Sequence, residues 1–426
     1  MRVGTAWADI TPDRPIHIAG QLHARLGEYA HDPLTANAVT FEGGGVRVAL
    51  VSCDLLFLPD AFTKSVKAEC EQAFGIPASS VIIACTHTHL APCTTVGLPG
   101  DLDPVYMSGL HDRLVGVIGR ALDDLEDASV YAGAGWVDQL GFNRRGLHAD
   151  GRADMYYGCW NEDLAGLEGP RDGQVPVIFA RRMDGGLKVL IPSFATHPNS
   201  MEGERFYSAD IVGSVRAYLR SHLGDVGVVY LTGAAGNTAP WDIERDREQT
   251  RPWYGEEGWR RCGAYLGDEI LRVIASTSEP VDPVLKLAQT VVDIPIRPYP
   301  DFDPDKLSWG RDYFGPARDD WPRMLREDSP VPVHLNVLRI GAAAICTNPA
   351  ELYVEHGLAI KDNSPARMTM IAELADGYAG YVPTKDAFAR GGYSTWPADT
   401  SRLAEDAGET IVRATRSLLD EAFLER

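Results

Sequence analysis

The chain lacks any hydrophobic run long enough to cross a bilayer, and its start, Met1 to Ile10, lacks the unbroken apolar stretch of a secretion signal. It is short of positive charge as well: 60 acidic residues stand against 40 Lys and Arg, a formal net charge of -20. That balance repels phosphate backbones and anionic headgroups, so the sequence predicts no nucleic-acid partner and no stable membrane association. Cysteine is sparse, with seven residues (Cys53, Cys70, Cys85, Cys93, Cys159, Cys262 and Cys346) at scattered spacings and no CxxC pair. An odd, scattered set excludes a disulfide framework and suits a reducing compartment; with no signal peptide in view, a cytoplasmic protein is expected. A Gly-rich phosphate loop, a dinucleotide fingerprint and a GxSxG elbow are all missing, which sets aside kinase, dehydrogenase and serine-hydrolase readings.

What is present is an ordinary globular composition, 45% hydrophobic and 23% charged, over 426 residues. That length buries a sizeable core without covalent staples. Strand-like and helix-like segments alternate. Val46 to Cys53 is a β-branched run after Gly43-Gly44-Gly45, Pro59 to Phe74 reads as helix, Ser80 to Cys85 as buried strand, and Pro104 to Leu125 as helix. The order recurs as strand Lys188 to Ala195, helix Ala209 to Leu223 and strand Gly227 to Leu231. Strands at Val333 to Ile340 and Ala342 to Thr347 follow, and a helix from Ser401 to Phe423 closes the chain. This alternation predicts an α/β fold: a mainly parallel or mixed sheet flanked by helices. Between Asp242 and Trp321 the character changes: Asp242 to Trp253, highly charged, and Pro298 to Arg318, rich in Pro, Asp and aromatics, are expected to form long surface loops. No repeat or flexible linker divides the chain, so residues 1–426 are expected to form a single domain.

The sharpest local pattern is Thr86-His87-Thr88-His89, directly after a buried strand. Side chains at i and i+2 of an extended backbone point the same way, so both imidazoles can face one pocket at the strand's C-terminal end. Neutral imidazole is a favoured zinc ligand, although HxH alone reads equally as two histidines hydrogen-bonded at a loop start. Thr196-His197-Pro198 has the same layout after a second buried strand.

With these residues, an ordered series of motifs resembles the neutral/alkaline non-lysosomal ceramidase family over nearly the full length. The series runs from the opening Gly4 to Pro12 and Ile18-Ala19-Gly20 through Thr86 to His89 with Pro92, Phe142-Asn143-Arg144 and Phe194 to Pro198. It continues with Ser208-Ala209-Asp210, Gly233 to Gly236 with Pro240, Asn348 to Glu351, Gly377 to Tyr381 and Gly392-Tyr393. The resemblance implies a zinc ion held by His87, His197, Glu351 and Tyr381. His89, Arg144 and Tyr393 become catalytic candidates: His89 as the proton shuttle, Arg144 and Tyr393 as donors to substrate or oxyanion. Gly20 becomes a place where the backbone approaches substrate, and a plain turn glycine reads equally well there. Alternatives also stand beside Arg144, whose neighbour Arg145 is a rival and for which a surface salt bridge is the simpler role. Glu351 would suit the start of a helix after Pro349, and Tyr381 a buried aromatic whose hydroxyl merely finds a partner.

The chain departs from the family where a pocket is expected. Leu90-Ala91-Pro92 replaces a Ser-Gly-Pro run, Gly20-Gln21 a Gly-Tyr pair, and Tyr393-Ser394-Thr395 a Tyr-Glu-Gly run. The chain also has no room for the C-terminal immunoglobulin-like domain common in the family. The expectation is therefore a zinc-dependent hydrolase of a small-molecule N-acyl compound, with a small polar one favoured over N-acylsphingosine. An ester or lactone hydrolase, or a non-catalytic binding protein on the same scaffold, is the alternative. Oligomeric state is left open.

Overall fold

Ala49 and Val51 point to one side of their strand and Val48 and Leu50 to the other, and both sides are buried. A strand with two apolar faces needs a layer on each. The computed structural model, which describes all residues except 157, 159, 246, 298–329 and 425–426, supplies both.

Among the described residues, nine strands form a large sheet: β1 (Arg2–Asp9), β2 (Thr35–Gly43), β3 (Val46–Cys53), β4 (Val81–Cys85), β5 (Glu126–Trp136), β6 (Gln174–Arg182), β7 (Leu187–Phe194) and the short β8 (Gly227–Val228) and β9 (Leu231–Thr232). Their order is β8-β7-β6-β5-β1-β2-β3-β4, with β9 also pairing with β7. Four strands make a second sheet: β10 (Leu285–Ile294), β11 (Val331–Ile340), β12 (Ala343–Thr347) and, after the three-residue β13 (Ala350–Leu352), β14 (Met368–Ala372). Val48, Leu50, Ile178 and Ile191 of the large sheet pack against Leu338, Ile345 and Met370 of the small one. On its other face the large sheet carries α1 (Asp60–Phe74), α2 (Pro104–Asp123), α3 (Ile211–Leu223) and α4 (Gly255–Ser276). The small sheet's outer face is covered by α5 (Ala407–Phe423). The result is four layers, helix–sheet–sheet–helix, each interface sealed by period-2 strand faces and period-3.6 helix faces. No helix among the described residues is long and apolar enough to cross a membrane.

The mixed α/β architecture agrees with the sequence expectation of a mixed sheet flanked by helices. Pairing is mostly antiparallel, and parallel pairs occur at β3–β4, β7–β8, β7–β9 and β12–β14. The cause is local: Gly44 and Gly45, both at positive φ, close a tight hairpin between β2 and β3, and a tight turn at Gly185 does the same between β6 and β7. Of the two stretches expected to be surface loops, Asp242–Trp253 holds a four-residue helix, Arg247–Thr250, and a 3-10 turn, Arg251–Trp253. Between the two stretches lie β10 and α4, which buries Cys262, Leu266, Ile270 and Val273, and α4 has no counterpart in the sequence reading. Its charged and glycine-rich composition masks that apolar stripe. The Pro298–Arg318 part of that expectation lies outside the described residues. The six described cysteines are all buried and unbridged.

β4 and β9 branch from opposite ends of the strand order, yet they meet. Thr232 Oγ1 donates to the Thr86 carbonyl at 2.8 Å, and Ser52 Oγ donates to the Tyr230 carbonyl. The segment after β14 stitches the seam: Glu373 N donates to Thr232 O (3.0 Å), Cys85 N to Leu374 O (3.1 Å) and Asp376 N to Ile83 O (2.8 Å). Twist has curled the sheet until its ends approach, and the loops leaving both ends converge.

Candidate metal centre

His87 and His197 leave these two meeting ends. His87 sits at φ 69°, a left-handed conformation costly for a residue with a Cβ. Its Nδ1 donates to the Leu56 carbonyl at 2.9 Å, and His197 Nδ1 donates to the Ala235 carbonyl at 2.7 Å. Carbonyls only accept, so each Nδ1 carries its proton and each neutral ring turns a bare Nε2 inward. The two Nε2 atoms lie 3.1 Å apart, and Glu351 Oε2 lies 3.2 Å from one and 3.4 Å from the other. Three lone-pair donors therefore face one another in a buried pocket. A proton on His87 Nε2 would serve only one neighbour at a time, whereas a cation serves all three.

Glu351 is not at a helix start, as the sequence suggested. It is the middle residue of β13, paired in parallel with β15 (Gly380–Val382), and its register partner is Tyr381. That pairing brings two distant motifs side by side. Burial, then the Arg144 charge, pushes His197 well below an ordinary histidine. Tyr378 donates to Glu351 Oε1 at 2.7 Å and orients the carboxylate. Two neutral imidazoles and a carboxylate, with the Tyr381 phenol beside them, fit a zinc ion.

Arg144 reaches the same point from a different loop. Its Nη2 is 3.0 Å from His197 Nε2, 2.9 Å from the Gly236 carbonyl and 3.3 Å from the Tyr381 hydroxyl, and its Nη1 donates to Tyr156 at 2.8 Å. Arg145 turns the other way, to Glu168 and the Gly391 carbonyl (2.7 Å). Both arginines are buried, so neither forms the surface salt bridge that the sequence allowed. Burial and the Glu351 charge push the Tyr381 phenol well above its usual range. The ring of Tyr393 meets that of Tyr381 edge-on at 5.7 Å.

His89 stands beside the cluster, and ligating atoms of His87, His89 and His197 all lie within 4.8 Å of one another. Its Nδ1 is 3.0 Å from Glu202 Oε1, while its Nε2 is buried with no hydrogen-bond partner. Gly20 packs on this ring: a Cβ there would come within 2.7 Å of His89 Cβ, and its φ is 98°. Only glycine meets both demands. Glu202 also accepts from Asn199 Nδ2 at 2.7 Å and from Gln21. Burial opposes its charge, but His89 foremost, helped by Asn199, lowers its carboxyl to about 2. Asn199 also donates to Tyr156 (2.7 Å), so hydrogen bonds run from Arg144 through Tyr156 and Asn199 to Glu202 and His89.

All eight residues singled out in the sequence thus gather in one place. The sequence reading missed Glu202, Asn199, Tyr156, Tyr378 and Glu373. Of these, Glu373 left a trace, a carboxylate placed immediately after the apolar run Met368–Ala372. Glu202, five residues past His197 in a loop, gave no local signal.

No family model matches the chain, and no curated protein does. Solved structures do. Neutral ceramidase from Pseudomonas aeruginosa superposes with a TM-score of 0.78 at 19% identity, over 99% of this chain and 74% of that one. A ceramidase complexed with C2 gives 0.75 at 18% identity, over 98% and 74%. The architecture is therefore a mixed α/β, two-sheet one. Its particular form is the neutral ceramidase-like fold.

Proposed function

We propose that this chain is a zinc-dependent hydrolase that cleaves the amide bond of an N-acyl compound. The observation that carries the reading is the convergence of His87 Nε2, His197 Nε2 and Glu351 Oε2 within 3.4 Å of one another, both rings fixed by backbone carbonyls. Tyr381 is the fourth oxygen available to the ion. When bound, zinc supplies the Lewis acidity that activates water near neutral pH.

The protein's own residues do the rest. Glu202 takes the Nδ1 proton of His89 in a hydrogen bond, which leaves the Nε2 lone pair facing the centre. There it accepts a proton from the attacking water as oxygen bonds to the amide carbon. It returns that proton to the nitrogen as the C–N bond breaks, giving an amine and a carboxylic acid. Arg144 and the neutral hydroxyls of Tyr381 and Tyr393 supply donors for the oxygen that gains negative charge. The fold likeness to ceramidases supports amide chemistry, and the polar pair of Gln21 donating to Glu202 beside His89 favours a small polar N-acyl compound.

Metal content by mass spectrometry, with hydrolysis of N-acyl amines, amino acids, amino sugars and N-acylsphingosine with and without chelator, tests this reading. About one zinc per chain and chelator-sensitive amide cleavage are expected. A chain that stays metal-free and inert with added zinc would overturn it in favour of a binding protein.

A further inference from the structure

Glu373 is fully buried, and the proposed chemistry leaves it without a task. It directly follows β14, at the point where the chain passes into the seam between β9 and β4. A carboxyl at such a place costs free energy unless its oxygens are used. Oε2 accepts two backbone N–H groups, those of Ala235 and Leu352, each at 3.1 Å.

One of these amides belongs to the segment that carries a candidate ligand, and the other to the segment that holds a candidate ligand's ring. Ala235 is the residue whose carbonyl holds His197 Nδ1, at 2.7 Å. Leu352 directly follows Glu351 in β13. The two segments also touch through Gly236 N to Leu352 O (2.9 Å), so closely that a Cβ at Gly236 would stand 2.4 Å from the Glu351 carbonyl. The backbone N of Glu373 is anchored in turn to Thr232 O at 3.0 Å. One side chain therefore clamps the backbone behind His197 to the backbone behind Glu351. Removing it would orphan two buried amides and let the segments drift apart.

We infer that Glu373 is a positioning residue: it fixes the spacing of His197 and Glu351 and so sets the affinity of the centre for its metal. Outer partners of this kind typically govern metal affinity by one to two orders of magnitude. The inference rests on the zinc reading of the centre. Burial, followed by the Glu351 charge, pushes the Glu373 carboxyl well above its usual range, so a neutral amide is a close replacement.

The test is zinc affinity of the full-length, metal-stripped chain, measured by competition with a fluorescent chelator, with circular dichroism to check the fold. Glu373→Gln keeps the acceptor oxygen and is expected to bind within about threefold of the parent chain. Glu373→Leu fills the volume without an acceptor, and Glu373→Asp is too short to span both amides; each is expected to bind about 10- to 100-fold more weakly. The Asp variant decides the matter if the Leu variant does not fold. Unchanged affinity in both, or a Gln variant as weak as the Asp variant, would overturn the clamp while leaving the zinc site standing. A parent chain that takes up no zinc would overturn the metal reading itself, and the clamp's role with it, whatever the substitutions do.

Discussion

Two buried charged clusters lie side by side in this molecule, and they are built on opposite plans. At Asp54, both carboxylate oxygens are occupied: Arg216 binds in a fork at 2.9 and 3.0 Å, and Thr35 adds its N–H (2.7 Å) and hydroxyl (2.8 Å). At the candidate metal centre, a few residues away through Leu55, Leu56 and Thr86, three acceptors face one another across about the same distance, and Glu351 Oε2 is buried with no hydrogen-bond partner. In the first cluster every carboxylate oxygen already has its donors. The second would be completed by a cation. Burial and charge do not separate structural from functional groups; the difference lies in whether the lone pairs are already spent.

That contrast can be broken most severely at the ligands. His87→Ala or His197→Ala is expected to strip the zinc and abolish turnover while circular dichroism stays close to the parent spectrum; full zinc occupancy in both variants would refute the assignment. His89→Ala should keep the metal and slow turnover by about two to four orders of magnitude in steady-state assays, whereas an unchanged rate would remove it from the chemistry.

At the complete cluster the signs reverse. Arg216→Ala leaves Asp54 charged and unpaired, and is expected to cost about 3–5 kcal/mol in denaturant unfolding, yet leave the zinc bound per folded chain unchanged. A smaller effect is expected from Glu202→Ala, which frees the His89 ring: kcat about 10- to 100-fold lower, KM little changed, and no further loss when introduced into His89→Ala. Additive losses would show that Glu202 does not act through His89. Smallest is Tyr393→Phe, which should lower kcat more than it raises KM; the opposite pattern would make Tyr393 a binding residue.

Much of the fold was legible because strong local patterns coincided with real elements. The run Val46–Cys53, the helices beginning at Asp60 and Pro104, and the strand before His87 all lie close to where the apolar pattern put them. Legibility failed where composition and burial part company. α4 buries an apolar stripe beneath Glu, Arg and Gly, and β13 is too short to carry a period. It failed again for Glu202 and Glu373, each of which makes a hydrogen bond to a residue more than a hundred positions away, His89 and Ala235.

By itself the sequence determined the chemical types available: histidines at two strand ends, one carboxylate and two tyrosines in recognisable motifs, and an apolar alternation that demands sheets between helices. Tertiary structure alone decided that β4 and β9 meet across the curled sheet, that β13 lays Glu351 beside Tyr381, and that Glu202 and Glu373 stand behind the ligands. The reason is physical. Periodicity reports which face of an element avoids water, but metal ligation needs atoms placed within a few tenths of an ångström, and that precision arises from hydrogen bonds between segments that the chain order keeps far apart.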